Sequence, residues 1–233
     1  MLVKINNVTF KNKVPFEIEK TKDQEEKINV IWEEFSKNKT DFYNGEIYVI
    51  TNISNIGNDY TLEIGKAKFA DLVYSKKTND LTIYSLFTSC LFKTKDNYYL
   101  VLRDKNNRPN ILGGMASSSD FINNEFISQA CLEREAKEEL LISINDLNQV
   151  ISYQKAFLKI PSTEEKMNPT GVVYVGQLNL TKDELIEHFS IHKNNLDHEI
   201  IDLLFYTKDN YLDILKEENT REYIVEAINL LES

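Results

Sequence analysis

The sequence is poor in several residue types, and each scarcity excludes a class of protein. Its two cysteines, Cys90 and Cys131, are too few for a disulfide-stabilised scaffold, and both lie in apolar segments. We therefore expect buried thiols in a reducing compartment. No apolar run approaches the about 18 residues of a membrane span, and the first residues lack the pattern of a signal peptide. We expect a cytoplasmic protein without a membrane partner.

Basic residues are also in deficit. Lysine and arginine total 27 against 37 aspartates and glutamates, which gives a formal net charge of −10. Basic side chains form only short pairs such as Lys76-Lys77, whereas an extended nucleic-acid surface needs clustered cations that neutralise phosphates. An acidic protein can still bind a nucleotide when a divalent cation bridges the two. The charge therefore favours a small phosphorylated partner over a polymer.

The most informative stretch is the acidic segment from Arg134 to Leu140. If it is helical, Glu135, Glu138 and Glu139 fall at i, i+3 and i+4 on one face. Like charges at this spacing destabilise a helix by about 0.2–0.5 kcal/mol per pair, so a bound cation would relieve them. Oxygen-only ligands suit Mg²⁺ or Mn²⁺, the ions that clamp phosphate groups. The competing interpretation is a solvated, charged helix face.

The neighbouring sequence favours the metal site over the solvated face. Leu132, Ala136 and Leu140 form an apolar stripe at helical spacing beside the acidic arc. Upstream lies the pair Gly113-Gly114, which allows a backbone carbonyl to approach a ligand closely. Before the glycines, residues 85–92 and 98–103 read as two strands of a hairpin. The order is strand, strand, glycine pair, acidic helix.

This order and the acidic segment resemble the signature of the Nudix hydrolases. That signature runs G, five residues, E, seven residues, R-E-hydrophobic-x-E-E-x-G-hydrophobic. The residues that match it are Gly114, Arg134, Glu135, Ala136, Glu138, Glu139 and Ile142.

Three departures from the signature change what the resemblance implies. The gap between Gly114 and Arg134 is longer by about six residues, and we place the surplus in residues 115–122. Phe126 stands where the signature has its first glutamate, while Glu125 and Asp120 are near but out of phase. Leu141 stands in place of the late glycine. The loop shape, and the acid that supplements the metal ligands, are therefore open.

The resemblance implies roles for the conserved positions of the signature. Glu135, Glu138 and Glu139 would bind Mg²⁺, with the carbonyl of Gly113 or Gly114 completing the ligand set. Arg134 would pair with one of these glutamates and hold its rotamer. The general base can be one of the glutamates or an acid on a later loop. For the later acid we select Glu199, with Asp197 second.

Substrate contacts are less sharply indicated by the sequence. Arg103, at the end of a predicted strand, and Arg108, in the loop that follows, could each reach phosphate oxygens. The competing account for both is a solvated charge. Gly113 is the third candidate, through its backbone. The 24 tyrosines and phenylalanines are too many to select a base-stacking residue.

A second resemblance concerns the N-terminal part of the chain and a late acidic stretch. Segments 42–50, 62–64, 68–71 and 196–199 are similar, in their order, to the UDP-glucose pyrophosphatase branch of the Nudix hydrolases. That likeness implies cleavage of a UDP-sugar into UMP and a sugar 1-phosphate. Action on nucleoside triphosphates or capped RNA, and a degenerate, non-catalytic nucleotide-binding module, are the alternatives.

The expected architecture is α/β, a Nudix-type α/β/α sandwich with a mixed sheet. We predict an N-terminal α+β extension over residues 1–80, packed on the core, and a hydrolase domain over 81–233. The oligomeric state is open. Predicted helices span 24–37, 67–74, 124–141, 181–189 and 218–231. Predicted strands span 46–51, 60–65, 84–92, 98–103, 149–158, 172–178 and 200–206, the first two forming a small antiparallel sheet.

Overall fold

The computed structural model describes residues 1–37, 43–78, 80–161, 170–193, 199–217 and 220–233. Its strands are β1 Leu2–Lys4, β2 Asn7–Glu17, β3 Glu46–Ile56, β4 Asp59–Lys68, β5 Tyr84–Lys93, β6 Tyr99–Asp104, β7 Pro109–Asn110, β8 Leu112–Met115, β9 Phe121–Ile122, β10 Glu125–Phe126, β11 Val150–Lys159, β12 Thr170–Leu178 and β13 Ile200–Tyr206. Its α-helices are α1 Lys22–Ser36, α2 Phe69–Thr78, α3 Ser128–Leu140, α4 Lys182–His192 and α5 Glu222–Glu232.

Eleven of the strands described form one mixed sheet around β5. Along its main path the order is β1-β11-β12-β5-β3-β4-β2, and β8, β6, β7 and β13 join at its side. β5 runs parallel to β12 and antiparallel to β3 and β8. β5 is buried along nearly its whole length, including the small polar residues Ser85, Thr88 and Ser89 that interrupt its apolar side chains.

Alternate side chains of β5 build two separate cores, one on each face of the sheet. Leu86, Cys90 and Phe92 belong to the core that contains the apolar stripe of α3. Phe87 and Leu91 belong to the core beneath α5. Helices on both faces of a mixed sheet make an α/β/α sandwich, so the predicted fold class is confirmed.

The two predicted N-terminal strands form part of the large sheet and not a small sheet of their own. β3 and β4 are antiparallel, as expected, but β3 also pairs with β5 through Val49–Ser85 and Ile50–Tyr84. Val49 and Ile50 are both fully buried, so this strand has two covered faces and lies inside the large sheet. The boundary at residue 80 therefore stays a prediction, with strands of the same sheet on both sides of it.

The surplus residues before the acidic helix fold into a small structure of their own. Ser118–Asp120 form a 3₁₀ turn, and β9 and β10 follow as a two-stranded hairpin. Asn123 and Asn124, at its tip, have φ of 52° and 65°, a conformation that asparagine tolerates. The predicted helix start at 124 was therefore too early, because the hairpin delays α3 until Ser128.

The predicted end of α3 and the predicted start of α4 are both present in the structure. Leu141, in the position of the signature's late glycine, ends α3 in the left-handed conformation with φ of 53°. The capping box predicted at Thr181 and Glu184 begins α4.

In the part of the chain that the structure describes, none of the helices has the length and apolar character of a membrane span. Cys90 and Cys131 are buried free thiols, as expected.

Candidate active site

Two of the three glutamates of α3, Glu135 and Glu139, lie against the glycine pair of β8. Gly113 donates its backbone N–H to Glu139 Oε2 at 3.0 Å. A Cβ atom built on Gly114 would lie 2.1 Å from Glu135 Oε1, so a glycine is required for this carboxylate to pack on the strand. Glu135 is 8% exposed, whereas Glu138 is on the exposed side of the helix. The two glycines thus leave room for the carboxylates of Glu135 and Glu139 beside β8.

Arg134 pairs with two of the three glutamates, whereas the resemblance implied a pair with one. Its Nη1 lies 2.6 Å from Glu135 Oε1 and 2.9 Å from Glu138 Oε2. The pairing fixes both carboxylates over one turn of the helix. Arg134 is therefore a positioning residue in this structure.

Asp120 is a member of the site that the sequence did not place in it. Arg134 donates from Nε and Nη2 to the two carboxylate oxygens of Asp120, at 3.0 and 2.9 Å. Such a two-pronged contact fixes the plane of the guanidinium as well as its position. The Asp120 side chain is 1% exposed and also accepts the N–H of Ser117 at 2.8 Å. The sequence did not identify Asp120 because it is not at the position of the signature's first glutamate. The 3₁₀ turn and the hairpin bring it to Arg134 from outside that position.

The carboxylates raise each other's proton affinity. Burial raises the pKa of Glu139 to about 8, and the charges of Glu135, Glu199 and Glu138 contribute in the same direction against the Gly113 hydrogen bond. Burial also raises the pKa of Glu135, although Arg134 opposes it. A buried group with such a shift, near other acids, indicates a functional site. The arrangement favours either protons or a cation.

Glu199 lies near the cluster although it is far from it in the sequence. Its charge contributes to the raised pKa of Glu139, which requires proximity. The side chain is well exposed, at 64%, and Lys105 Nζ lies 3.7 Å from its Oε1. Asp197 and His198, the neighbouring candidates from the sequence, lie outside the described residues.

Arg103 is engaged away from the glycine pair. Its guanidinium donates to Asn107 Oδ1 and Glu217 Oε2, both at 3.0 Å. To contact a phosphate as predicted, Arg103 would have to give up its hydrogen bonds to Asn107 and Glu217. Its substrate role stays a prediction.

A cleft of about 680 Å³ opens beside Gly113 and Gly114, on the α5 face of the sheet. Cationic side chains, aromatic rings and buried polar groups line it together. The ones relevant to binding are Arg108, Arg221, Lys159, Ser89, Tyr223 and Phe87. Sequence analysis considered only Arg108 among these, because strands and helices far apart in the chain build the cleft and leave no local signal.

Comparison of the sequence with protein-family models and with curated proteins gives no match. The fold does match solved structures. Tm1382, a proposed Nudix hydrolase, is 13% identical, with 81% of this chain and 100% of that chain covered and a TM-score of 0.52. DR0079 from Deinococcus radiodurans is 14% identical, with 78% and 97% covered and a TM-score of 0.45. The Nudix domain of NrtR from Shewanella oneidensis, in complex with ADP-ribose, is 11% identical, with 71% and 99% covered and a TM-score of 0.44.

The likeness to Tm1382 shows a common fold at low sequence identity. The chain therefore shares the fold of that protein, as the resemblance of its glycine pair and acidic helix to the Nudix signature implied. A shared fold does not determine the activity, which depends on the residues of the site.

Proposed function

We propose that this chain is a divalent-metal-dependent pyrophosphohydrolase of nucleoside diphosphate derivatives. One observation carries the proposal: Glu135 and Glu139 lie against Gly113-Gly114 at the edge of a cleft of about 680 Å³, and Arg134 ties Glu138 to Glu135. Ligand pockets span roughly 300–1,000 Å³, so a nucleotide derivative fits this volume. The three carboxylates are the part of the site with the chemistry for an anhydride bond.

The donor set suits Mg²⁺, with Mn²⁺ as a substitute. Glu135, Glu138, Glu139 and the carbonyl of Gly114 offer only oxygen, the ligand type that these hard cations prefer. The described residues contain no group of three or more aspartate, glutamate, histidine or cysteine side chains that is already arranged to bind a metal ion. Arg134 bridges one oxygen of Glu135 and one oxygen of Glu138. The second oxygen of each carboxylate would then hold the cation, while Arg134 stays bonded to Asp120.

Hydrolysis adds a water oxygen to one phosphorus, and the other phosphate departs with the bridging oxygen. A bound divalent cation would supply charge neutralisation and a more acidic water. From the chain, Asp120 and Arg134 hold the carboxylates in place. Glu199, exposed and close to Glu139, is the residue we assign to remove the proton of the attacking water.

A UDP-sugar is the first substrate to test. It presents one diphosphate to the carboxylate side and a nucleoside and a sugar to the neighbouring cleft, and it needs no polymer-sized basic surface. The similarity of the N-terminal segments to the UDP-glucose pyrophosphatase branch supports the same choice. We expect UMP and a sugar 1-phosphate as products, and we retain the cytoplasm as the predicted location.

The test is a substrate panel with the full chain, in Mg²⁺, in Mn²⁺ and in EDTA. It contains UDP-glucose, nucleoside triphosphates and capped RNA, with products separated by chromatography. Glu138→Gln should lose most activity and keep its fold, because an amide is a poor ligand for a hard dication. Glu187→Gln, on the exposed face of α4, is the control for loss of one charge.

The possible outcomes separate the alternatives. UMP with glucose 1-phosphate supports the assignment. Cleavage of triphosphates or capped RNA with UDP-glucose untouched refutes the substrate and leaves the metal site standing. Binding of nucleotides without turnover in either metal would identify a non-catalytic module instead.

A further inference from the structure

The N-terminus of α5 faces the cleft without a capping side chain. Arg221 occupies the N-cap position with extended backbone angles, and its side chain does not accept a bond from the first turn. Its carbonyl accepts the N–H of Ile224 at 3.0 Å. Arg221, Glu222 and Tyr223 all line the cleft. The unpaired N–H groups and positive end of a helix attract anions, phosphate above all.

A second, independent feature of the cleft is the hydroxyl of Ser89. This side chain is 2% exposed, and within the described part of the chain no group makes a hydrogen bond of good geometry with its Oγ, although the Tyr223 hydroxyl lies near it. Ser89 lies on β5 directly opposite Gly113, and it shares the α5 face with Phe87 and Leu91. A buried hydroxyl without a partner is destabilising, and a ligand oxygen in the cleft would satisfy it.

The charges around the cleft are mainly positive. Arg108 and Arg221 are exposed at its opening, and Lys159, buried at 2% exposure, has its Nζ 5.5 Å from the centre of the Tyr223 ring. Glu222 is the acidic side chain among the residues that line it. The two exposed arginines against one carboxylate favour an anionic ligand.

Tyr223 connects this positive region with the carboxylate cluster. Its hydroxyl donates to Asn110 Oδ1 at 3.1 Å. Burial raises the pKa of Tyr223, Arg221 opposes the rise, and the charge of Glu139 contributes to it. The tyrosine is therefore within electrostatic reach of both Arg221 and Glu139. Gly113 links the two regions in space, because it bonds Glu139 through its N–H and lies opposite Ser89, so a diphosphate would cross β8 at this residue.

We infer that the first turn of α5, with Arg221 and Ser89, binds the phosphoryl group of the nucleotide half of the substrate. The carboxylates of α3 face the other phosphate from the far side of Gly113-Gly114. This assignment rests on the proposed function for the identity of the substrate. The binding chemistry itself, a phosphate monoester held by a helix N-terminus, an arginine and a serine hydroxyl, does not require turnover.

Binding without metal tests the inference separately from catalysis. Calorimetric titration of the full chain in EDTA, at pH 7, uses UMP, glucose 1-phosphate, inorganic phosphate and uridine. We expect Arg221→Gln to raise the Kd for UMP about tenfold or more, since charge-assisted bonds are the strong ones. Ser89→Ala should raise it about fivefold. Arg221→Lys should restore part of the affinity, and uridine, which has no phosphate, should bind all variants alike.

Two control variants exclude a merely structural effect. Thr170→Val removes another buried hydroxyl without a partner in the described chain, on β12 and outside the cleft lining. Lys208→Gln removes an exposed cation that pairs with Glu232. Both should bind UMP like the wild type. Ser89→Ala should not lower the melting temperature, because removing an unpaired buried hydroxyl is neutral or stabilising.

The inference and the proposed function fail in different ways. UDP-glucose hydrolysis with unchanged UMP binding in Arg221→Gln and Ser89→Ala refutes the inference and leaves the function intact. Weakened UMP binding in those variants, without hydrolysis of any substrate, supports the phosphate site and rejects the enzyme. If glucose 1-phosphate rather than UMP depends on Arg221, the nucleotide half has been assigned to the wrong side, and the inference is overturned.

Discussion

Replacing Glu139 with glutamine should stabilise the metal-free protein and abolish its response to metal. Burial raises the pKa of this carboxyl to about 8 from its ordinary value of 4.5. At a pH between these two pKa values, Glu139 is protonated in the folded protein and ionised in the unfolded chain. Folded stability therefore falls as the pH rises through this window.

The expected magnitude follows from the width of the window. One pKa unit corresponds to 1.36 kcal/mol, so ionising Glu139 destabilises the fold by about 3 kcal/mol more at pH 8 than at pH 5. Glutamine at position 139 has no proton to lose, and its amide oxygen can still accept the N–H of Gly113. From pH 5 to pH 8, the free energy of unfolding of Glu139→Gln should therefore rise by this amount relative to that of the wild type. At pH 8 the variant should be the more stable protein.

Urea unfolding in EDTA at pH 5, 6, 7 and 8 measures this difference. The same series with Mg²⁺ at pH 8 should stabilise the wild type and leave Glu139→Gln nearly unchanged, because a ligand that binds only the folded state shifts the equilibrium. Glu187→Gln is the control for removing one negative charge. A stability difference that stays constant from pH 5 to pH 8 would refute the electrostatic account of Glu139.

Three further changes test other parts of the site. Asp120→Asn breaks a buried ion pair with Arg134 and should lower the free energy of unfolding by about 2–4 kcal/mol in urea titrations. Gly114→Ala drives a Cβ into the Glu135 carboxylate, and we expect about a hundredfold lower kcat/KM with unchanged circular dichroism. A chain starting at residue 81 would expose β5 and lose the buried Ile50, Leu62 and Ile64, so it should yield no soluble, active protein. Full activity of that fragment would contradict the single-sheet arrangement.

The parts of the fold that sequence predicted are those with a local signal. The apolar stripe of Leu132, Ala136 and Leu140 identified α3, and all three side chains are buried. The strand predicted over residues 84–92 is present as β5, Tyr84–Lys93. The glycine pair and the three glutamates could be placed together because the motif that contains them is short.

β2 was not predicted because its alternating pattern is interrupted. Val8 and Phe10 point to the core side, but the register against β4 shifts between Asn12 and Glu17, and Pro15 lies in that gap. Proline within a strand is typical of an edge or a bulge. The parallel partner β4 also lies some 50 residues away, so no local signal predicts the pairing.

The cleft was not predictable either, for a related reason. Ser89, Lys159 and Tyr223 come from three elements separated by more than 60 residues each, and each has an ordinary role when considered alone. A serine in a buried strand usually pairs with the backbone. Its unpaired state is a property of the tertiary structure, and so is its position opposite Gly113.

The replacement of the signature's first glutamate by Phe126 follows from the packing of the inserted hairpin. Phe126 is buried and packs edge-on against Phe10 of β2, with ring centres 4.8 Å apart. Phe121, on the other strand of the hairpin, stacks on Tyr48 of β3 at 4.2 Å. The hairpin is thus held by the N-terminal strands, and the 3₁₀ turn directly before it carries Asp120.

Asp120 then fixes Arg134, and Arg134 fixes Glu135 and Glu138. An acid delivered by the insertion supplies the buried partner of the arginine, so position 126 is free to carry an aromatic anchor. The N-terminal strands are consequently connected to the carboxylate cluster through two ring contacts and one buried ion pair. Weakening the Phe10–Phe126 contact should therefore loosen Arg134, although neither ring touches the site.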